Sequence, residues 1–410
     1  MKIGIISDTH FGFKEDSELE LDCYINFEQA LRYCVENTDI ILMPGDLFDL
    51  EEPSQKTFQN VFHTLKEHIG KQKTLALDKK DMLLKVPVVV IAGTHEYKGK
   101  GYISPIDVLE SAKYIYQLKH NNIVFEKDKE KVNVSGMAGV PEKVAKDILA
   151  KLDFKAIENA VNIFMTHQSY NELLAFDDEM ISNLSLEDLP KGFDLYINGH
   201  IHKKHFIKTE KGPFLIPGST IITQIKKNEI LEKRGFYIYD TKTKDLEFKE
   251  IPIQRDYYYL ELNEENITKQ ELINKINAEI EKIKNNYSKY NYAKKEIVLN
   301  PVLKIKLSAK LTMTENKSLN EKDFNTENVI LILDKKIETE DLKNKIDIIN
   351  FEQDKINALE KSKEIFLQNL KDAGFKNSFD PEELLILLKD KHPEKTSNFI
   401  LNKIKQELDS

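Results

Sequence analysis

Cysteine and long apolar runs are both scarce in this 410-residue sequence. The only two cysteines, Cys23 and Cys34, do not have CxxC spacing, which argues against a disulfide framework and against a thiolate zinc site. No apolar run approaches the roughly 20 residues that a membrane-spanning helix requires, and no signal-peptide pattern precedes the first predicted strand. We therefore expect a cytoplasmic protein without a membrane association.

Basic charge is not in excess either. The 60 lysine and arginine residues are outnumbered by 69 aspartate and glutamate residues, which leaves a net charge of -9. A protein of this charge has no global positive field, so any contact with nucleic acid must come from a local basic patch. Because 410 residues are too many for one ordinary core, we expect two or three domains.

Apolar strands alternate with amphipathic helices from residue 1 to about residue 255. The alternation predicts an α/β fold in which helices cover sheets. The predicted strands are 2–7, 39–44, 86–92, 132–138, 161–166, 194–198, 214–217, 235–239 and 246–253, and the predicted helices are 27–35, 55–70 and 104–118.

The pattern changes after Arg255. A strand at 257–262, a helix that opens at a capping box and a half-exposed strand at 302–307 predict a small α+β domain at 256–335. Residues 336–410 contain amphipathic helical segments. We therefore expect a large domain at 1–255, a small domain at 256–335 and a helical C-terminal region at 336–410.

Histidine and aspartate side chains recur just past the ends of the predicted strands. A lone histidine in such a place is more often hydrogen-bonded scaffolding than a ligand. Several such residues at the ends of different strands indicate a shared site, because parallel strands bring those ends to one edge of a sheet. These residues are Asp8, His10, Asp46, His95, His167, His200 and His202.

The residue types indicate the kind of site. Imidazole and carboxylate ligands suit manganese, iron or zinc far better than calcium, and the absence of thiolates argues against a structural zinc site. Shared carboxylates can hold two metals about 3.5–4 Å apart, and such pairs stabilise both oxygens of an in-line phosphoryl displacement. The residue types therefore predict a metal site, and a shared carboxylate would allow such a site to hold two ions.

The strand-end motifs, in their order, resemble those of the calcineurin-like metallophosphoesterases. They are Asp8-x-His10, Gly45-Asp46-Leu47-Phe48-Asp49, Gly93-Thr94-His95-Glu96, Thr166-His167 and Gly199-His200-Ile201-His202. The short first spacing, Pro217-Gly218-Ser219 and the small domain with a helical tail narrow the resemblance to the Mre11/SbcD-type nucleases, in an archaeal-type version. The resemblance implies a β-sandwich flanked by helices, a capping domain that orients DNA, and C-terminal helices that bind a Rad50-type SMC ATPase.

The resemblance also implies a role for each strand-end residue. Asp8, His10 and His202 would hold one metal, His167 and His200 would hold a second, and Asp46 would bridge both. His95 would contact the scissile phosphate or protonate the leaving oxygen, a role that suits an imidazole at neutral pH. The implied cofactor is two Mn²⁺ ions per chain.

Two positions depart from the family pattern. Thr94 stands where the family has an asparagine that binds the second metal, and a hydroxyl is a poorer ligand than an amide oxygen. Thr94 is therefore either a substituted ligand or a residue that supports the ligands from outside. Asp49 stands where eukaryotic and some archaeal relatives carry a histidine linked to exonuclease activity, which leaves the balance of exonuclease and endonuclease activity open.

Several weaker features have two interpretations. Lys203, Lys204 and Ser219 could contact phosphate, or the lysines could belong to a solvated face. The helices at 55–70 and 104–118 could form a homodimer interface, or their apolar sides could pack into the core. The C-terminal helices could bind the ATPase, or they could pack against one another.

The function that the resemblance implies is a Mn-dependent DNA nuclease. It would act as a 3′–5′ exonuclease and a single-strand endonuclease in double-strand break repair, as a homodimer with a Rad50-type ATPase. One alternative is a metallophosphoesterase for a small nucleotide or a phosphoprotein. Another is a catalytically weak scaffold that binds DNA ends, whose metal centre is impaired by Thr94.

Overall fold

The computed structural model describes residues 1–71, 75–76, 83–96, 102–173, 184–230, 232–311 and 319–339. Of the helical region predicted at 336–410, only residues 336–339 are among these residues, and they belong to a strand. Residues 340–410 lie outside the described residues. The chain divides into two compact units. The first comprises Met1–Leu262, Ile273–Lys306 and Leu319–Asp334, and the second comprises Asn263–Leu272, Leu307–Ser318 and Lys335–Ser410. The domain boundaries predicted near 255 and 335 stay a prediction.

The strands in chain order are Lys2–Ile5 (β1), Ile40–Met43 (β2), Leu75–Ala76 (β3), Val88–Val90 (β4), Tyr116–Gln117 (β5), Asn121–Lys127 (β6), Glu130–Met137 (β7), Val161–Thr166 (β8), Leu195–Asn198 (β9), His205–Thr209 (β10), Gly212–Ile216 (β11), Gly235–Asp240 (β12), Leu246–Glu250 (β13), Tyr257–Ile267 (β14), Ser288–Tyr292 (β15), Lys295–Leu299 (β16), Val302–Leu311 (β17) and Ile330–Thr339 (β18). The helices are Asp22–Asn37 (α1), Gln55–Lys66 (α2), Pro105–Ser111 (α3), Glu142–Leu152 (α4), Lys227–Ile230 (α5) and Lys269–Ile283 (α6).

The first unit contains two large sheets. One has the strand order β13-β12-β1-β2-β4-β5, and the other has the order β10-β11-β9-β8-β7-β6-β3. Strands β1, β2, β4 and β5 are parallel neighbours in the first sheet, and β7, β8, β9 and β11 are parallel neighbours in the second. The carboxyl ends of each parallel set therefore meet at one edge of its sheet.

Alternation of side chains along the strands explains the layers. Ile3, Ile5, Leu42 and Val89 of the first sheet pack against inward-facing residues of the second in one buried cluster. The opposite face of the first sheet packs on α1 and α2, and the opposite face of the second packs on α4. Strands that are buried on both faces read as continuous apolar runs. The predicted α/β fold, a β-sandwich flanked by helices, is confirmed for the described residues.

The prediction of a helix at 104–118 is wrong for the second half of that segment. It begins as expected, because the Ser104 hydroxyl and the Asp107 side chain form a capping box around Pro105. It ends at Ser111, and Lys113 then adopts a positive φ of 61°. The chain continues as β5, which joins the edge of the first sheet because Tyr116 is buried between the sheets.

The hairpin of β15 and β16 was not expected from the sequence. Its turn places Ala293 and Lys294 at φ values of 52° and 64°, a conformation usually found at asparagine or glycine, so the usual hairpin signal is missing. Tyr292 packs the hairpin onto α1 and α2 by stacking on Tyr24 and by a 3.1 Å hydrogen bond between its hydroxyl and that of Thr64.

Strands β14, β17 and β18 form a three-stranded sheet. The helix α6 begins beside Thr268, whose hydroxyl accepts a hydrogen bond from the Glu271 backbone, as the predicted capping box requires. Within the described residues, the longest helices are neither long enough nor apolar enough to cross a membrane.

A buried ion pair holds the start of β14 to α1. The Arg255 guanidinium donates to both Asp22 oxygens, at 2.8 Å from Nε to Oδ2 and 2.8 Å from Nη2 to Oδ1. It also donates to the carbonyls of Glu18 and Asn300. Removing one partner of such a pair leaves a buried charge without compensation.

We therefore expect Arg255→Ala to lower the free energy of unfolding by about 3–5 kcal/mol, measured by urea denaturation. Lys244→Ala is the matched control, because it breaks an exposed 2.8 Å ion pair with Asp194. The control should change the free energy of unfolding by no more than about 1 kcal/mol. Equal losses in the two variants would contradict the importance of the buried pair.

Candidate metal centre

Six of the predicted residues form two groups at the carboxyl ends of the parallel strands. Each residue offers one ligand atom, an imidazole nitrogen or a carboxylate oxygen, and within each group these atoms all lie within 4.8 Å of one another. The first group is Asp8, His10 and His202, and the second is Asp46, His167 and His200. A backbone hydrogen bond of 2.9 Å from His200 N to Asp8 Oδ1 connects the two groups.

The spacing of donor atoms fits a divalent metal. His10 Nε2 lies 3.0 Å from His202 Nε2, and His167 Nε2 lies 3.1 Å from Asp46 Oδ2. Two ligand atoms at about 2.1 Å from one metal, at right angles, are about 3 Å apart. The buried His167 Nε2 has no hydrogen-bond partner of acceptable geometry, although it faces that carboxylate. The residues present therefore fit a metal.

A main-chain carbonyl determines the tautomer of His167. Its Nδ1 lies 2.7 Å from Pro44 O, and a carbonyl can only accept a hydrogen bond, so Nδ1 carries the hydrogen. Nε2 is the nitrogen that remains, and it points to Asp46. Orientation of a metal-binding histidine by a hydrogen bond at its second nitrogen is a common feature of metal sites.

Burial and mutual charge set the protonation of the two groups. Burial raises the pKa of Asp8 to about 6. Burial acts in the same direction on Asp46, but the positive charge of His167 outweighs it and holds the pKa of Asp46 well below its usual range. Burial lowers the pKa of His200 to about 4 and that of His202 to about 3, each with help from a neighbouring histidine. Near pH 7 both carboxylates are ionised and these two imidazoles are neutral, the state that ligands need.

His167 differs from these two imidazoles. Burial acts to lower its pKa, but the adjacent Asp46 and Asp8 outweigh burial and raise the pKa to about 10. The pair of His167 and Asp46 therefore shares a proton at neutral pH unless a cation replaces it.

His95 lies beside the two groups on the open side of the site. Its side chain is 41% exposed, and its Nε2 is 3.9 Å from Asp46 Oδ2. Its Nδ1 lies 2.6 Å from Asp49 O and so carries a hydrogen, while its backbone N–H donates to Asp46 Oδ1 at 3.0 Å. His95 also belongs to a third group of nearby donors, with His10 and Asp49.

Residues 1–204 match the family model of the calcineurin-like phosphoesterases. These residues are a calcineurin-like phosphoesterase domain. The predicted resemblance to the metallophosphoesterases is thereby confirmed, and the strand-end groups lie within or at the end of this phosphoesterase domain.

Curated relatives of the chain include archaeal proteins named DNA double-strand break repair protein Mre11. The one from Saccharolobus solfataricus is 29% identical over 248 residues, which cover 59% of this chain and 60% of that protein. The one from Sulfurisphaera tokodaii is 30% identical over 237 residues, 56% of each. A third, from Sulfolobus acidocaldarius, is 29% identical over 295 residues, 70% of this chain and 71% of that protein. The chain thus spans about three-fifths of the length of the first two relatives.

Glu96 organises the phosphoesterase site, although the sequence did not indicate this role. Its carboxylate is buried and accepts hydrogen bonds from three backbone N–H groups: Gly93 at 2.7 Å, Asp46 at 3.1 Å and Phe48 at 2.6 Å. Burial raises its pKa to about 7. Glu96 thereby ties the loop after β2 to the loop after β4. The only sequence signal was its place at the end of Gly93-Thr94-His95-Glu96.

The backbone of the site is strained. Asp8, His10, Asp46 and His200 have φ values of 50°, 45°, 47° and 74°, in the left-handed region that non-glycine residues rarely adopt. Each such residue costs on the order of 1–3 kcal/mol and persists only where the surrounding structure enforces it. Left-handed turns at the strand ends direct these side chains into the site.

The four other residues singled out in the sequence have different contacts in the structure. The Thr94 hydroxyl lies 3.3 Å and 3.4 Å from the two Asp46 oxygens and donates a hydrogen bond to that carboxylate. Lys203 Nζ is 3.8 Å from Glu232 Oε1, and Lys204 Nζ lies 4.2 Å from the centre of the Phe248 ring. Ser219 is buried and donates its hydroxyl to the Ile221 carbonyl at 2.5 Å. Phosphate contact by Lys203, Lys204 and Ser219 stays a prediction.

Gly199 leaves the space that His167 occupies. A Cβ atom at Gly199 would lie 2.2 Å from Pro44 O and 2.6 Å from His167 Nδ1. These are the two atoms of the hydrogen bond that orients the His167 ring.

We therefore expect Gly199→Ala to weaken Mn²⁺ binding by about 10-fold or more, because it displaces the partner that orients a metal ligand. Gly70→Ala is the control, since its Cβ would meet only the flexible side chain of Lys85. Mn²⁺ affinity is measured by titration with electron paramagnetic resonance of the free ion. Unchanged affinity in Gly199→Ala would contradict the geometry of the second group.

Proposed function

We propose that this chain is a Mn-dependent DNA nuclease of the two-metal type. The observation that carries the proposal is the pair of adjacent donor groups with His95 beside them, in a calcineurin-like phosphoesterase domain. The names of its relatives supply the substrate: they are double-strand break repair proteins. The proposed activities are those of a 3′–5′ exonuclease and a single-strand endonuclease in the repair of DNA breaks in the cytoplasm.

Asp8, His10 and His202 would hold one Mn²⁺, and His167 and His200 would hold the other, with Asp46 shared. When bound, two such ions stabilise the attacking and leaving oxygens of an in-line phosphoryl displacement. Neutral His200 and His202 and the ionised Asp46 support this assignment, because deprotonated groups bind metal without first releasing a proton.

His95 would move a proton rather than hold a metal. The Asp49 carbonyl accepts a hydrogen bond from Nδ1–H, so Nε2 is the nitrogen that takes up a second proton, and the protonated ring can give that proton to a leaving oxygen. Its partial exposure keeps Nε2 accessible to a phosphodiester, and its backbone N–H bond to Asp46 keeps the ring beside the metal ligands.

A homodimer would form through α2 and α3, the helices that lie within the segments predicted at 55–70 and 104–118. Exposed apolar residues support this proposal: Tyr102 and Ile103, which directly precede α3, are each 75% exposed, and Val108 of α3 is 37% exposed. Binding of a Rad50-type SMC ATPase by residues 336–410 rests on the amphipathic pattern of that region. A capping domain at 256–335 would orient the DNA.

We expect His95→Ala to lower the rate of Mn-dependent cleavage of single-stranded DNA by at least about 100-fold, because general acids contribute that much to hydrolysis. The variant should still bind Mn²⁺ like wild type, because His95 Nε2 lies outside both ligand groups. His205→Ala removes an exposed histidine of β10 and should cut like wild type. Full cleavage by His95→Ala would contradict its role as an acid.

Comparison of substrates separates the proposal from its two alternatives. Single-stranded DNA, bis-p-nitrophenyl phosphate and a cyclic dinucleotide are each offered to the wild-type chain with Mn²⁺. Faster turnover of the cyclic dinucleotide than of DNA would favour a small-substrate phosphoesterase. Less than one bound metal per chain after loading with Mn²⁺, without cleavage of any substrate, would favour a scaffold.

A further inference from the structure

His202 is held at its ring and at its backbone by two residues from the segment between β11 and β12. Its Nε2 faces His10, and its other ring nitrogen, Nδ1, lies 2.6 Å from Thr223 Oγ1. Its backbone carbonyl accepts a 2.8 Å hydrogen bond from Arg234 Nη1. Neither Thr223 nor Arg234 belongs to the motifs that predicted the metal centre.

The two supports are connected to each other through Glu229. Arg234 Nη2 donates to Glu229 Oε1 at 2.9 Å, and the Thr223 backbone N–H donates to the same oxygen at 3.3 Å. Hydrogen bonds therefore form a closed circuit that runs from the His202 ring through Thr223, Glu229 and Arg234 back to the His202 backbone.

Burial of the polar groups in this circuit is unfavourable unless each group has a hydrogen-bond partner. The Arg234 side chain is only 4% exposed, and a guanidinium that is removed from water needs hydrogen-bond acceptors to replace its lost hydration. The planar fork of arginine can donate to a carbonyl and a carboxylate at once, which the single ammonium of lysine cannot reproduce. Arg234 uses that fork to join Glu229 to His202.

The support of His202 differs in kind from that of His167. A main-chain carbonyl, Pro44 O, orients His167, whereas a side-chain hydroxyl meets the His202 ring. A hydroxyl can accept the Nδ1 hydrogen and leave the Nε2 lone pair for a metal. Substitution of Thr223 therefore changes the orientation of the His202 ring and leaves all of the proposed metal-binding residues in the sequence.

We propose that Thr223 and Arg234 are positioning residues that hold His202 in the tautomer and orientation required to bind the first metal. The inference rests on the proposed two-metal centre and goes beyond it by assigning a side-chain support to one ligand. Residues that orient metal-binding histidines typically contribute about 10–100-fold to metal affinity.

The test is Mn²⁺ binding to the full chain, followed by electron paramagnetic resonance of the free ion. Wild type should bind two ions. Thr223→Val, which removes the hydroxyl at nearly constant volume, should weaken one of the two sites by about 10-fold or more and leave the other unchanged. Thr223→Ser restores the hydroxyl and should restore the affinity. Arg234→Lys should weaken the same site, because it breaks the circuit without removing the charge.

Thr209→Val is the matched control, because Thr209 is also half-buried and its hydroxyl bonds to the backbone of Gly212 in the turn after β10. It should bind both ions like wild type. Two tight sites in Thr223→Val would overturn the inference, as would equal weakening of both sites in that variant. Failure of the wild-type chain to bind Mn²⁺ would instead overturn the proposed function.

Discussion

The buried carboxylate of Asp46 is the group on which the arrangement of the site depends. It follows β2, lies 3.1 Å from His167 Nε2 after β8, and accepts a hydrogen bond from the backbone of His95 after β4. An ionised carboxylate in such surroundings needs positive charge or hydrogen-bond donors close by. The two parallel sets of strands supply them because their carboxyl ends meet where the sandwich brings both sheets together.

The backbone of neighbouring loops lies so close to the Asp46 carboxylate that it also limits which residues can follow the strands. A Cβ atom at Gly93 would lie 2.1 Å from Asp46 Oδ1, so only glycine fits between that carboxylate and β4. Left-handed turns at Asp8, His10 and Asp46 add strain that the core must offset. The continuous apolar packing of β1 and β2 between layers provides the rigid support that such a strained edge requires.

Much of this site could be predicted from the sequence because it follows from strand ends. The runs before Asp8 and Asp46 are largely apolar, so the burial of these strands and the position of the next polar residue at the sheet edge could be predicted from the local sequence. Thr223 and Arg234 could not be found in this way, since their contact with His202 depends on how the segment between β11 and β12 folds back onto the residues after β9. The short α3 and the hairpin of β15 and β16 were missed for a related reason: tertiary packing overrides a weak local signal there.

The central claim is that two metal ions bind between these two groups of side chains. Anomalous diffraction at the manganese absorption edge, from crystals of the full chain soaked in Mn²⁺, tests this claim most directly. The account predicts two anomalous peaks, one bounded by Asp8, His10 and His202 and the other by His167 and His200, with Asp46 in contact with both. No peak, or a peak located only away from these side chains, would contradict it.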